Sequence, residues 1–218
     1  MQADQTPYRL IAAIAAIAAI AFFVGIFASG MARKSAEVPQ ISGFLWPNPP
    51  TIGEFSLTSQ FGKEFTHESF LGKWSFVFFG FTQCPDVCPT TMQTLKNTKA
   101  LLNEDQTFSK LGQIVFVSVD PERDTREILR QYLSYFDEGF IGITGEKEKL
   151  TRLTKPIGIL FAKISEDGED SYTLDHSASI LLIDPDGHVL GLFSMPHDPK
   201  QLSESFKAIS TFYAQESS

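Results

Sequence analysis

The chain has 218 residues, 43% of them apolar and 20 of them phenylalanine, enough to fill the core of a globular domain. Its formal net charge is −8, and residues 1–34 contribute +2 (Arg9, Arg33 and Lys34 against Asp4), which leaves −10 on the remainder. Such an acidic body lacks the basic footprint that nucleic-acid binding relies on, so no nucleic-acid partner is expected.

After a tail at residues 1–9, the chain reads LIAAIAAIAAIAFFVGIFASGM from Leu10 to Met31 without one charged side chain. About 20 apolar residues suffice to cross a bilayer core, so this run predicts a transmembrane anchor. FASGMA at its end has the small residues of a cleavage site, but the run exceeds the roughly 7–15 apolar residues of a signal peptide, which favours an uncleaved anchor. Arg9 and the terminal amine on one flank balance Arg33 and Lys34 on the other, so charge leaves the orientation open.

Next comes SAEVPQISGFLWPNPPTIGEF, proline-rich and without a sustained period, which fits an extended tether. The linker is assigned to residues 32–49 and the folded domain to 50–214. Two strongly apolar runs, WSFVFFGF at 74–81 and IVFVSVD at 114–120, predict central strands covered on both faces. Residues 89–103 are helix-compatible, with Met92, Leu95 and Leu101 or Leu102 on one stripe. DTREILRQYLSYF at 124–136 predicts a second helix with Asp124 or Thr125 as N-cap and Glu127 near the third position. LFAKIS at 160–165 reads as a strand, and ASILLIDPDGHVLGLF at 178–193 as two strands around a DPDG turn. Leu202, Phe206, Ile209 and Tyr213 then share one face of a closing helix. A βαβα start, a hairpin and a terminal helix make the order of an α/β thioredoxin-like fold.

Both cysteines lie in GFTQCPDVCPT, at the exit of the first central strand, where open α/β sheets do chemistry. Each precedes a proline, so Cys84 and Cys88 are expected in extended backbone, with Cys88 as N-cap and Pro89 at the first helical position. There the helix dipole favours a thiolate at Cys88. Three chemistries remain open for the pair: a structural disulfide, a redox pair, and a soft metal site of the kind that takes Cu(I), zinc or an iron–sulfur cluster. A bridge across so short a loop constrains the unfolded chain only weakly, and the redox motif expected in this fold has two intervening residues where this chain has three.

A metal site needs a further ligand, and the chain has four histidines. His67 (FTHESF) and His188 (DPDGHV) read as solvated turn residues. His197 (SMPHDPK) flanks the expected N-cap Asp198 and is a minor candidate for an auxiliary ligand. His176 (YTLDHSASILLID), at the entrance to an apolar strand, is the best candidate, against the alternative of a half-buried histidine bonded to backbone. Two thiolates and one imidazole fall short of the four ligands usual for structural zinc, whereas trigonal cysteine–histidine sites are familiar for copper. Asp175 precedes His176 but points to the opposite face of an extended segment, so adjacency does not make it a partner.

Taken together, FGFTQCPDVCPTTM, VSVDPERDT and LDHSASILLIDPDG resemble the Sco/SenC family of membrane-anchored copper proteins that help assemble cytochrome c oxidase, over roughly residues 50–193. The resemblance implies a thioredoxin-like fold and copper, as Cu(I) or Cu(II), with the ligand roles falling on Cys84, Cys88 and His176. It also implies that Cys84 and Cys88 can form a redox disulfide. A single-pass anchor in the inner membrane would hold the domain on the periplasmic side, or in the intermembrane space if the protein is mitochondrial. The implied partners are cytochrome c oxidase subunit II and other copper chaperones or thiol reductants.

Thiol–disulfide enzymes of this fold resemble one another in a cis-proline before the hairpin strand, and DHSAS has none. In VSVDPERDT, Asp120 ends a buried strand near the site and is positioned to tune its electrostatics, while Pro121, Arg123 and Asp124 build the turn and cap the next helix. The expected function is a copper metallochaperone. The runner-up is a membrane-tethered thiol–disulfide oxidoreductase acting on the recipient's cysteines, and an interaction domain with an inert bridge is a third reading.

Overall fold

Seven successive residues that are all apolar or small, Trp74 to Gly80, cannot present a polar face, and the strand they form lies at the centre of the sheet with every residue buried. The computed structural model describes residues 6–31, 39–165 and 172–216, and the side chains of residues 165, 175 and 176 are not among those described. Two units are distinct, one at the N-terminus and one spanning Pro39–Ala214.

The first unit contains α1 (Thr6–Met31), 26 residues that span about 39 Å at 1.5 Å per residue. Its side chains are described at residue 11 and residues 14–25. Among the described residues, no helix is long and apolar enough to cross a membrane.

The second unit runs β1 (Phe44–Leu45), β2 (Ser56–Ser59), β3 (Glu64–Thr66), a 3-10 turn (His67–Ser69), β4 (Trp74–Gly80), α2 (Val87–Leu101), α3 (Gln106–Leu111), β5 (Gly112–Ser118), α4 (Arg126–Ser134) and β6 (Ile141–Thr144). It continues with α5 (Lys147–Thr154), β7 (Phe161–Ser165), β8 (Tyr172–His176), β9 (Ile180–Ile183), β10 (Val189–Phe193) and α6 (Pro199–Glu216). Eight strands form one sheet in the order β1-β10-β9-β4-β5-β6-β2-β3, and β7 and β8 form a separate ribbon. β4 runs parallel to β5, from Trp74↔Gly112 to Gly80↔Ser118, and antiparallel to β9.

Side-chain alternation along β4 splits the core in two. Trp74, Phe76 and Phe78 pack with Leu95 of α2, Phe108 of α3, Leu129 and Leu133 of α4, and Leu202, Phe206 and Ile209 of α6. Val77 and Phe79 pack on the other face with Phe55, Phe70 and the α5 residues Leu150 and Leu153. Each fully buried phenylalanine contributes about 1.5–3 kcal/mol. Tyr213, the fourth residue of the expected stripe, packs against the first cluster.

One expectation changes and two are sharpened. The chain already pairs at Phe44↔Leu192 and Leu45↔Gly191, ahead of Pro50, because the open edge of β10 offers unpaired backbone groups to a strand too short to show a period. The strand expected at 160–165 forms over Phe161–Ser165 and pairs with β8 in the ribbon. Of the two N-cap candidates for α4, Thr125 takes the position, accepting from the Ile128 N–H at 3.3 Å, because the Asp124 carboxylate is engaged elsewhere.

Candidate metal centre

β4 delivers the cysteine loop and β5 delivers the groups that hold it. The buried Asp124 carboxylate accepts from the Thr82 N–H at 2.9 Å, the Thr82 hydroxyl at 2.5 Å and the Ser118 hydroxyl at 2.6 Å. Thr82 stands two residues before Cys84, so these bonds fix the start of the loop to the end of β5. Burial raises the Asp124 pKa, and its three hydrogen bonds oppose that rise. The Cys84 N–H then closes a turn onto the Phe81 carbonyl at 3.3 Å.

The helix begins earlier than the prolines implied. Asp86 is the N-cap, its carbonyl accepting from the Thr90 N–H at 3.2 Å, and Cys88 and Pro89 are the second and third residues of α2. Cys88 is therefore helical rather than extended. Pro89 fits there because first-turn N–H groups have no helical acceptor, so nothing is lost with its missing donor.

Both cysteines carry thiols, Cys84 half-buried and Cys88 fully buried. The Cys88 N–H donates to Cys84 Sγ at 3.4 Å, so the half-buried sulfur sits at the positive end of α2. Gly80 makes room for the other sulfur: a Cβ built there would lie 2.7 Å from Cys88 Sγ. The expected easy ionisation of Cys88 does not hold. Burial pushes its thiol strongly upward, against a smaller lowering from a Phe81 backbone hydrogen bond, and the neighbouring Cys84 adds to the rise. Cys88 is thus a thiol until a cation takes the proton's place. Tyr132 stands near both sulfurs, its hydroxyl pKa raised first by burial and then by Cys88, Cys84 and Asp124.

His176 is the last residue of β8, its backbone paired with Phe161, and its side chain and that of Asp175 lie outside the described side chains. The structure therefore brings Cys84 and Cys88 together and sets His176 on the ribbon beside the main sheet. His197 Nε2–H donates to the Ala178 carbonyl at 2.9 Å, while its Nδ1 is buried without a hydrogen-bond partner among the described residues. Burial lowers its pKa. His188 is the partly exposed turn residue expected, with its Nδ1 also 3.1 Å from Asp184 Oδ2. His67 is half-buried in the 3-10 turn.

Asp184, Asp186 and His188 also cluster, but Asp184 Oδ1 accepts from the Asp186 and His188 N–H groups at 2.9 and 2.8 Å, the pattern of a turn. Sequence reasoning placed Asp124 in a cap and gave Tyr172 no role. VSVDPERDT was a signal for the first. Tyr172 offered none, its partners Asp120 and Arg123 lying far off in the sequence.

Comparison with known proteins identifies the chain's relatives. A family model described as SCO1/SenC matches residues 47–211. The "Putative copper-binding protein" of Stutzerimonas stutzeri is 38% identical over 163 residues, 75% of this chain and 78% of that one. The human "Protein SCO1 homolog, mitochondrial" is 34% identical over 141 residues, 65% of this chain and 46% of that one. Among solved structures, Arabidopsis thaliana ScoI with copper bound matches with a TM-score of 0.67 at 32% identity, covering 73% of this chain and 98% of that one. Yeast Sco1 with copper bound matches at 0.68 and 29%, covering 75% and 90%. The architecture they share with this chain is the α/β thioredoxin-like fold.

Proposed function

The chain belongs to the SCO1/SenC family, and from that premise we propose that it is a copper metallochaperone whose ligands are Cys84, Cys88 and His176. Copper is cargo in this reading. Two sulfurs and one imidazole match the soft, low-coordinate preference of Cu(I), and a trigonal cysteine–histidine set also accommodates Cu(II). The observation that carries the reading is the thiol pair itself, one sulfur buried and one half-buried, on a loop clamped to β5. Cys84 is the sulfur a recipient can reach, so ligand exchange begins there and Cys88 is the last to let go.

In this reading residues 10–31 anchor the chain in the inner membrane, 32–49 link it to the domain, and the domain faces the periplasm or the intermembrane space. The recipient is the copper centre of cytochrome c oxidase subunit II, and other copper chaperones or thiol reductants supply the metal and keep the cysteines reduced.

The same arrangement favours a second reading. An accessible sulfur beside a buried one is also the layout of an attacking and a resolving thiol, so a reversible Cys84–Cys88 disulfide would let the protein reduce a recipient's cysteines. The two readings part on His176, which copper binding needs and thiol exchange does not.

The test is an anaerobic Cu(I) titration of the reduced full-length chain beside His176→Ala. One copper per chain, held about 10–100-fold less tightly in the variant, supports the chaperone. Equal disulfide-reductase activity in both proteins, with no copper retained, would replace it with the oxidoreductase.

A further inference from the structure

Among the described residues, the ribbon that carries His176 has no strand partner in the main sheet. A lone two-stranded ribbon is marginal in water, so its placement depends on what grips it. At its base, the Ser177 N–H donates to the Leu160 carbonyl at 3.1 Å, beside the buried Ile159. Between its ends Phe161 and Leu174 pack against the core, and at the other end the polar grip is one ring. Tyr172 donates its hydroxyl to Asp120 Oδ1 at 2.8 Å, and its carbonyl accepts from Arg123 Nη1 at 3.1 Å. The Arg123 guanidinium lies 3.7 Å from the centre of that ring, and Lys163 Nζ lies 3.6 Å from it. Arg123 Nε in turn donates to the buried Asp120, and Lys163 pairs with Glu122 at 3.1 Å.

Two features set this grip apart from ordinary packing. Arg123 Nη2 is buried without a hydrogen-bond partner among the described residues, a desolvation cost that an apolar contact would avoid. The loop that supplies it, 118–124, is also the loop whose Asp124 clamps Thr82 and the cysteines. One short segment thus holds both halves of the candidate centre: Asp124 registers the sulfurs, and Asp120 with Arg123 registers the ribbon.

We propose that Arg123 and Tyr172 are positioning residues for copper, a latch that holds β7–β8 so that His176 meets the two sulfurs; this rests on the ligand set proposed above. The latch touches neither sulfur. With the latch open, the Leu160–Ser177 contact and the packing of Phe161 and Leu174 are what hold the ribbon, so the imidazole loses its fixed register while the thiols stay in place.

Arg123→Lys and Tyr172→Phe keep charge and ring but remove, respectively, the guanidinium's fork and the bond to Asp120. Each is made in the full-length chain and again in a His176→Ala background. Cu(I) affinity is read by anaerobic competition with a chromogenic Cu(I) chelator, and Cys84 alkylation reports the sulfur half. In the wild-type background each variant weakens Cu(I) binding about 10–100-fold, and in the His176→Ala background the same change has an effect within about twofold, with alkylation unchanged in both.

Equal losses in both backgrounds, or faster alkylation, make the latch merely structural and overturn the inference. So does a wild-type affinity in both variants while His176→Ala alone is weak. If His176→Ala itself binds as tightly as wild type, the ligand set falls and the inference falls with it.

Discussion

Adding one methyl group at Gly80 probes the buried sulfur directly. The new Cβ would lie 2.7 Å from Cys88 Sγ and 3.1 Å from ring carbons of Phe116 and Phe78. Heavy atoms pack best at about 3.5–4.0 Å, so the sulfur must retreat by about 1 Å, twice the roughly 0.5 Å within which a binding constellation tolerates error. Cys88, Phe78 and Phe116 are each fully buried, and none can swing into solvent. Overpacking of this kind costs about 1–3 kcal/mol, and at about 2–4 °C per kcal/mol for a chain of this size Gly80→Ala lowers Tm by about 2–12 °C. Thermal unfolding of the reduced, metal-free chain, with and without Cys88→Ala, measures it. The account predicts that most of the cost vanishes in the Cys88→Ala background, the two rings accounting for the residue. A cost of the same size in both backgrounds would refute the placement of the sulfur against Gly80.

Asp124→Ala strands the Thr82 N–H and two hydroxyls without their acceptor. At about 1–3 kcal/mol for each stranded group, a loss of about 3 kcal/mol or more in denaturant unfolding is expected, together with faster Cys84 alkylation; an unchanged alkylation rate would show that the clamp does not hold the loop. Since Cys88 is a thiol before metal arrives, Cu(I) binding releases its proton, and affinity rises with pH by up to about tenfold per unit for each proton displaced. A pH indicator in weakly buffered solution records that release, and binding without it would contradict the buried thiol. The sign is opposite for the metal-free fold. With Cys88 raised above its unfolded value, the unfolded chain sheds a proton that the folded chain keeps, so this contribution is intact below about pH 8.5 and is lost as pH climbs. Urea unfolding at about pH 8 and about pH 10 checks it, and greater stability at the higher pH would count against it.

What the sequence made legible was whatever left a period or a punctuation mark. The unbroken apolar runs gave β4 and β5, the DPDG turn gave β9 and β10, and the four-three-four spacing of Leu202, Phe206, Ile209 and Tyr213 gave the buried face of α6. Two-residue β1 carries no period, and its existence depends on the open edge of β10. The cysteine pair was visible from spacing and its prolines, but its electrostatics were not. A helix N-terminus argues for a thiolate at Cys88, and only the packing of Gly80, Phe78 and Phe116 around it reveals that desolvation wins. Asp124 was visible as a polar residue before a helix and was assigned to a cap. Its engagement with Thr82 spans 42 positions, which no local pattern encodes. Tyr172 illustrates the same limit, since its partners Asp120 and Arg123 lie about 50 residues earlier in the chain.

The central claim is that two sulfurs and one imidazole converge on a single copper ion. X-ray absorption at the copper edge of the Cu(I)-loaded, full-length chain, beside His176→Ala, tests it most directly. Two sulfur neighbours and one nitrogen in the wild type, with the nitrogen lost and both sulfurs kept in the variant, is the predicted result. An unchanged nitrogen in the variant, or a first shell of sulfur alone in the wild type, would contradict it.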